Sequence, residues 1–198
     1  MHEITEAVTN VIGDYGLYAV FILMFIDAVF PAASELVMVY AGAVAAGAFP
    51  GSSVTLFGTE IESTGWAYVA MAMAGTIGYT LGSVAGWAIG LYGGRPYLER
   101  HGRWLHITPA KLDKAEAWFE RYGDAAVFIS RMLPVVRSFI SIPAGIAEMP
   151  VVRFTVLTFL GTIPWCFGLA GVAAFAFRAY RKRARRRAME RSAEGVGR

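Results

Sequence analysis

Residues 128–147 are almost wholly apolar, yet they hold two arginines, Arg131 and Arg137, and are interrupted by Pro134 and Pro143. A charged side chain at membrane depth costs roughly 2.5–3.5 kcal/mol on insertion scales. Chains keep such groups chiefly where a ligand or an ion must be handled. Proline inside a helix removes a hydrogen bond and clashes with the preceding turn, so this stretch is not expected to be one smooth spanning helix. Broken apolar backbone carrying two cations points to a site for an anion within a membrane.

The rest of the chain agrees with embedding in lipid. Of its 198 residues 56% are hydrophobic, and the mean hydropathy is +0.48, too apolar for an ordinary soluble domain. Twenty-two glycines suit close helix packing in a bilayer. The net charge of +3 is unevenly placed: residues 178–198 hold nine Lys/Arg against two Glu, so the remainder is slightly acidic. Cys166 is the single cysteine, which leaves no internal disulfide. His2, His101 and His106 lack metal-site spacing, and the chain contains no HExxH, Walker loop or GxSxG. Neither an enzyme nor a cofactor or metal is expected. The first residues lack the basic n-region of a signal peptide, so the first apolar segment is expected to be retained.

Residues 15–50 are too long for one span of about 20 residues and too short for two. Pro31 stands between their two carboxylates, Asp27 and Glu35. The pattern predicts a helix to about residue 30, then a re-entrant element to about residue 49. Residues 51–65 are polar and read as a loop. Residues 66–92 carry no charge and read as a transmembrane helix. Gly78, Gly82, Gly86 and Gly90 recur there at four-residue spacing, which opens a packing groove along one face.

Residues 95–124 are charged. Thr108 suits an N-cap, Pro109 the first helical position, and Gly123 a stop. Between them Leu112, Ala115, Phe119 and Tyr122 form a helical stripe, which predicts an amphipathic helix on the membrane surface or capping the bundle. Residues 125–149 are the arginine-bearing broken segment, 154–177 a second uncharged span, and 178–198 a basic tail.

Two halves of the chain echo each other. Pro31 precedes Gly42 by eleven positions, as Pro134 precedes Gly145, and each segment ends in Ala-Gly. Pro50 and Pro150 close the two broken segments. The spans that follow share Gly-Thr-Ile, then an aromatic, then glycine: Gly75 to Tyr79 and Gly82 in the first, Gly161 to Trp165 and Gly168 in the second. The order is broken hairpin, span, amphipathic linker, broken hairpin, span. Pro31, Pro134, Pro143, Gly42 and Gly145 are the expected breaks. Paired interrupted segments at matching positions point to a transporter site near the midplane.

Six residues turn an α-helix about 240° net, so Arg131 and Arg137 share no face of a continuous helix. A turn at Pro134 would bring both guanidiniums to one point. Arginine stays charged and grips phosphate bidentately; the alternative is that each snorkels to an interface. Asp27 and Glu35 are the complementary acids, suited either to loading a proton or to neutralising the arginines as fixed partners. Glu148 reads as interfacial. The basic run at 181–187 is explained beside a membrane span by the positive-inside rule and anionic headgroups rather than by nucleic acid.

These residues resemble the DedA family of bacterial membrane proteins, which share the VTT (SNARE-associated) domain. The resemblance covers roughly residues 15–169. Its most specific block holds Arg131-x-x-Pro134-x-x-Arg137 and Pro143-Ala-Gly145. Further matches are Pro31-x-x-Ser34-Glu35, Gly75-x-x-Gly78-Tyr79-x-Leu81-Gly82 and Arg121-Tyr-Gly123. The resemblance implies an all-α membrane protein with an inverted repeat of two re-entrant helical hairpins, each followed by a transmembrane helix, and an amphipathic linker helix. One domain would cover 1–177, with repeats at about 15–94 and 125–177 around the linker 95–124, and a basic tail at 178–198.

The resemblance further implies a multi-pass protein of the bacterial cytoplasmic membrane that moves a polyprenyl-phosphate lipid of the undecaprenyl type for envelope synthesis. Coupling to the proton motive force is implied for some members. Arg131 and Arg137 match the family's essential arginines, Asp27 and Glu35 its embedded acids, with aspartate in place of the more usual glutamate at 27. Family members usually continue into one more hydrophobic helix, whereas here the chain turns basic at Arg178, so the tail and the weakly basic linker vote differently on orientation. Two other readings stay open: a proton-coupled transporter of a small solute or ion, and a non-transporting membrane scaffold. The oligomeric state is not legible.

Overall fold

The computed structural model describes residues 2–29, 34–48, 54–56, 59–61, 63–101, 109–133 and 136–196. The elements are α1 (His2–Val29), α2 (Ser34–Ala45), a short antiparallel ladder of β1 (Thr55–Leu56) and β2 (Thr59–Glu60), α3 (Thr64–His101), α4 (Pro109–Tyr122), α5 (Ala125–Arg131), α6 (Ser141–Ile146) and α7 (Val151–Val196). Pro31, Pro134 and Thr108 lie outside the described residues.

Two helical segments are long and apolar enough to cross a bilayer: residues 64–94 of α3 and 151–187 of α7. The first ends at Gly94, whose φ of 63° leaves the helical region just before the charges begin at Arg95. Only 28% of the most apolar window of α7 is buried. A soluble core helix would hide that surface, whereas a helix facing lipid has no reason to. Polar and apolar groups are sorted accordingly. Arg131, Arg137, Asp27, Ser130, Ser141 and Thr158 are buried, while Ile22, Leu81, Val156, Leu160, Val172 and Phe175 face outward. Buried threonines on the long helices, such as Thr76, Thr80 and Thr162, donate to carbonyls one turn back, so their hydroxyls need no outside partner.

Tyr68, early in α3, donates to the Phe167 carbonyl at 2.7 Å. Trp87, later in α3, donates to the Met149 carbonyl at 3.0 Å and stacks on Phe154 at the start of α7. The two long helices therefore run antiparallel. The broken pairs pack by exchange. Each first helix lies on the long helix that follows it, α1 on α3 and α5 on α7. Each second helix lies chiefly on the long helix of the other half, α2 on α7 and α6 on α3. The glycine stripe of α3 receives both halves. A Cβ at Gly78 or Gly82 would strike the Phe21 or Phe25 carbonyl of α1, and one at Gly90 the Ile142 carbonyl of α6. At Gly86 it would press Ser141 of α6.

Three expected breaks are corrected. Gly42 lies inside α2, and Pro143 and Gly145 lie inside α6. Pro143 is the third residue of its helix, where the N–H has no intrahelical acceptor and its loss costs nothing. Gly42 and Gly145 serve contact instead: a Cβ there would enter the backbone of α7 at Ala170 or of α3 at Trp87. Residues 132–133 and 136–140, between α5 and α6, are turns and bends. The linker helix α4 starts at Pro109 and stops at Gly123, which has φ +54°. Phe119 packs against the cluster of Val127, Ala144, Met149 and Phe154. Tyr122 departs from the expected stripe: it is exposed, against Trp118. Helix α7 continues through the basic stretch, with exposed cations from Arg181 to Arg187.

Candidate functional site

The site forms where α5, the 136–140 turn, α6, α3 and α7 meet. Arg131 is the last residue of α5, fully buried, with its stem pressed over Gly161 of α7; any side chain there would collide with it. Both Nη atoms of its guanidinium are hydrogen-bonded, while Nε has no partner among the described residues. Nη2 donates to Ser141 Oγ and to Thr158 Oγ1, both at 3.1 Å. Nη1 donates to the carbonyl of Arg137 and, at 3.5 Å, to the Tyr79 hydroxyl. Arg131 thus ties α5, α6 and α7 together and fixes the backbone at Arg137.

Arg137 is different. It is 1% exposed, and among the described residues Nε, Nη1 and Nη2 all lack a hydrogen-bond partner. Its contacts are to ring faces: Cζ lies 4.0 Å from the Tyr79 ring centre and 5.0 Å from that of Trp165. The ion pair of Arg153 with Asp124, at 3.1 Å, is exposed and contributes little. Buried donors without acceptors are costly. A charged one beside a second guanidinium makes a strongly positive spot suited to an anion.

Asp27 is buried near the end of α1, and its Oδ1 accepts the Ser34 N–H at 3.0 Å, holding the first residue of α2. Asp27, Arg131, Arg137 and Cys166 are all buried. The structure therefore gathers Arg131, Arg137 and Asp27 in the interior. Glu35 stands outside this group, exposed in the first turn of α2. Glu148 is exposed too, with a positive φ of 52° after α6.

Sequence reasoning missed Tyr79, Trp165, Ser141 and Thr158 as partners of the arginines. One signal was available for the first two. They occupy the same place after Gly-Thr-Ile in the two halves, a match that marked a repeat without revealing that both rings meet one guanidinium. Ser130, beside Arg131, turns instead to the Val127 carbonyl.

Residues 30–175 match the family model described as the VTT domain. The chain is 44% identical to "Undecaprenyl phosphate transporter A" of Bacillus subtilis over 59% of each protein, so it spans about three fifths of that relative's length. It is 34% identical to the protein of the same name in Staphylococcus aureus, over 83% of this chain and 75% of the relative. A Lactococcus lactis protein named "Alkaline phosphatase-like protein" is 32% identical over 85% of this chain and 74% of its own. No solved structure matches. The site block and the matched region together identify the chain as a member of the DedA family of membrane proteins, which share the VTT domain.

Proposed function

We propose that this chain is a multi-pass transporter of the bacterial cytoplasmic membrane that carries a polyprenyl phosphate of the undecaprenyl type, and that Arg137 holds the phosphate. The observation that carries this reading is the fully buried guanidinium with three nitrogens lacking any partner among the described residues. The names of the B. subtilis and S. aureus relatives supply the lipid class. The prenyl tail stays in lipid against the exposed apolar faces of the helices, while the headgroup charge is hidden by the guanidinium. The role is binding and movement rather than catalysis.

The exchange packing of α2 on α7 and α6 on α3 supports an inverted repeat of two re-entrant hairpins within one domain at 1–177. Rocking of one hairpin pair against the other would expose Arg137 to alternate faces. The basic stretch 178–198 sits at the cytoplasmic side and meets anionic headgroups. In this reading Asp27 is the acid that would couple protons to the motion, and its burial beside the first break supports it.

Binding of undecaprenyl phosphate to the purified protein in lipid nanodiscs, wild type against Arg137→Ala, is the test. Removing one partner of a buried charged pair costs about 2–5 kcal/mol, so affinity should fall at least about 30-fold. Equal affinity in the two proteins overturns the reading.

A further inference from the structure

Arg137 is held by ring faces, and this has a chemical consequence. A guanidinium donates hydrogen bonds in its own plane, while aromatic rings attract it from above and below. Tyr79 and Trp165, at 4.0 and 5.0 Å, therefore position the charge without occupying its N–H groups. Arg131 also meets the Tyr79 and Phe154 rings, both at 5.5 Å, but its two Nη atoms are taken up by hydrogen bonds. The two rings come from equivalent positions, four after Gly75 and four after Gly161, so each half of the chain contributes one.

The two rings differ in their polar atoms. The Tyr79 hydroxyl is engaged with Ser138 Oγ at 3.3 Å and with Arg131. The Trp165 Nε1 is buried and has no partner among the described residues. An indole N–H donates only, so nothing but an acceptor satisfies it. It belongs to the ring whose face meets Arg137, with its centre 5.0 Å from Cζ. Four donor-only nitrogens, three on Arg137 and one on Trp165, thus share a neighbourhood without an acceptor.

We propose that Trp165 is a ligand-binding residue of this site, its Nε1–H donating to the same phosphate that Arg137 grips, and that it sets a preference for phosphate monoesters. This rests on the phosphate reading above. A monoester has three terminal oxygens: two match the guanidinium edge and the third meets the indole N–H. A phosphodiester, the linkage of ordinary membrane phospholipids, has only two free oxygens and leaves the indole unsatisfied.

The experiment measures binding of farnesyl phosphate and of its monomethyl ester to the full chain in detergent, for wild type, Trp165→Phe and Arg137→Ala. Phenylalanine keeps a ring face against Arg137 and removes the donor. Trp165→Phe should weaken farnesyl phosphate by about tenfold or more, the value of a hydrogen bond to a charged group, and leave the methyl ester unchanged. Wild-type affinity for both ligands in Trp165→Phe, or an equal loss for both, overturns the proposal. Unchanged binding in Arg137→Ala would instead sink the phosphate reading beneath it. In the wild-type protein, which needs no variant to fold, the Trp165 indole N–H resonance should move downfield with farnesyl phosphate and less with the methyl ester. An unmoved resonance at saturating farnesyl phosphate also overturns the assignment.

Discussion

The two breaks in this chain are fastened in opposite ways. In the first, Asp27 from the end of α1 accepts the backbone N–H of Ser34. In the second, Arg131 from the end of α5 donates to the backbone carbonyl of Arg137. Ser34 and Arg137 occupy matching positions, each three residues after the proline of its break. An anion thus latches a backbone donor in one half, and a cation latches a backbone acceptor in the other. The residue latched makes the difference. Ser34 brings no charge into the interior, whereas Arg137 brings a guanidinium whose N–H groups remain available. The first latch leaves no charge of the latched residue inside; the second leaves a buried guanidinium with unpartnered nitrogens among the described residues.

That contrast can be broken at several points. The largest effect is expected from Arg137→Ala, which should weaken phosphate binding by at least about 30-fold while changing thermal stability less than Arg131→Ala does, because the cavity it leaves is offset by removal of an unsatisfied buried charge. A large fall in the melting temperature with binding retained would reverse the assignment. Arg131→Ala should act the other way round. It strips hydrogen bonds from Ser141, Thr158 and the Arg137 carbonyl, each worth about 1.5–3 kcal/mol when the donor is charged. The melting temperature in detergent should fall sharply, with binding lost as a consequence. If Arg131→Ala keeps its stability and loses only binding, the two arginines act as equals and the division of roles is wrong.

A smaller effect is expected at Asp27. Asp27→Ala loses the acceptor for Ser34 N–H and should cost about 1 kcal/mol, as helix caps do. Asp27→Asn keeps an acceptor and should recover most of that stability. Transport measured on the pair then sharpens the comparison. Recovery in Asp27→Asn would make Asp27 a tie, and continued failure would make its charge part of the cycle. The smallest effect belongs to Glu35→Gln. Exposed positions of this kind change stability by no more than about 0.5 kcal/mol, and binding should be unaltered. A loss of binding would show that Glu35 reaches the site in another conformation.

Much of this was legible in the linear pattern. The long apolar runs became α3 and α7, and Pro109 and Gly123 bound α4 at its two ends. The stretch around Arg131 and Arg137 was recognisable because placing a cation in lipid is costly for one residue considered alone. Gly42, Pro143 and Gly145 were misread for the complementary reason. Proline and glycine are local breakers by propensity, but in the first turn of a helix, or where two backbones touch, the same residues serve packing.

The sequence by itself determined that the chain is helical and apolar, that it breaks in two matching places, and that it carries two cations into one of them. These are properties of single residues and of short-range periodicity. Only the tertiary structure decided that Arg131 is bound up by its neighbours and Arg137 is not, that Glu35 stays outside, and that Tyr79 and Trp165 face the same charge. Those outcomes depend on which side chains from α3, α6 and α7 arrive together, and hydrogen bonding and ring stacking act only at contact distance between residues far apart in the chain.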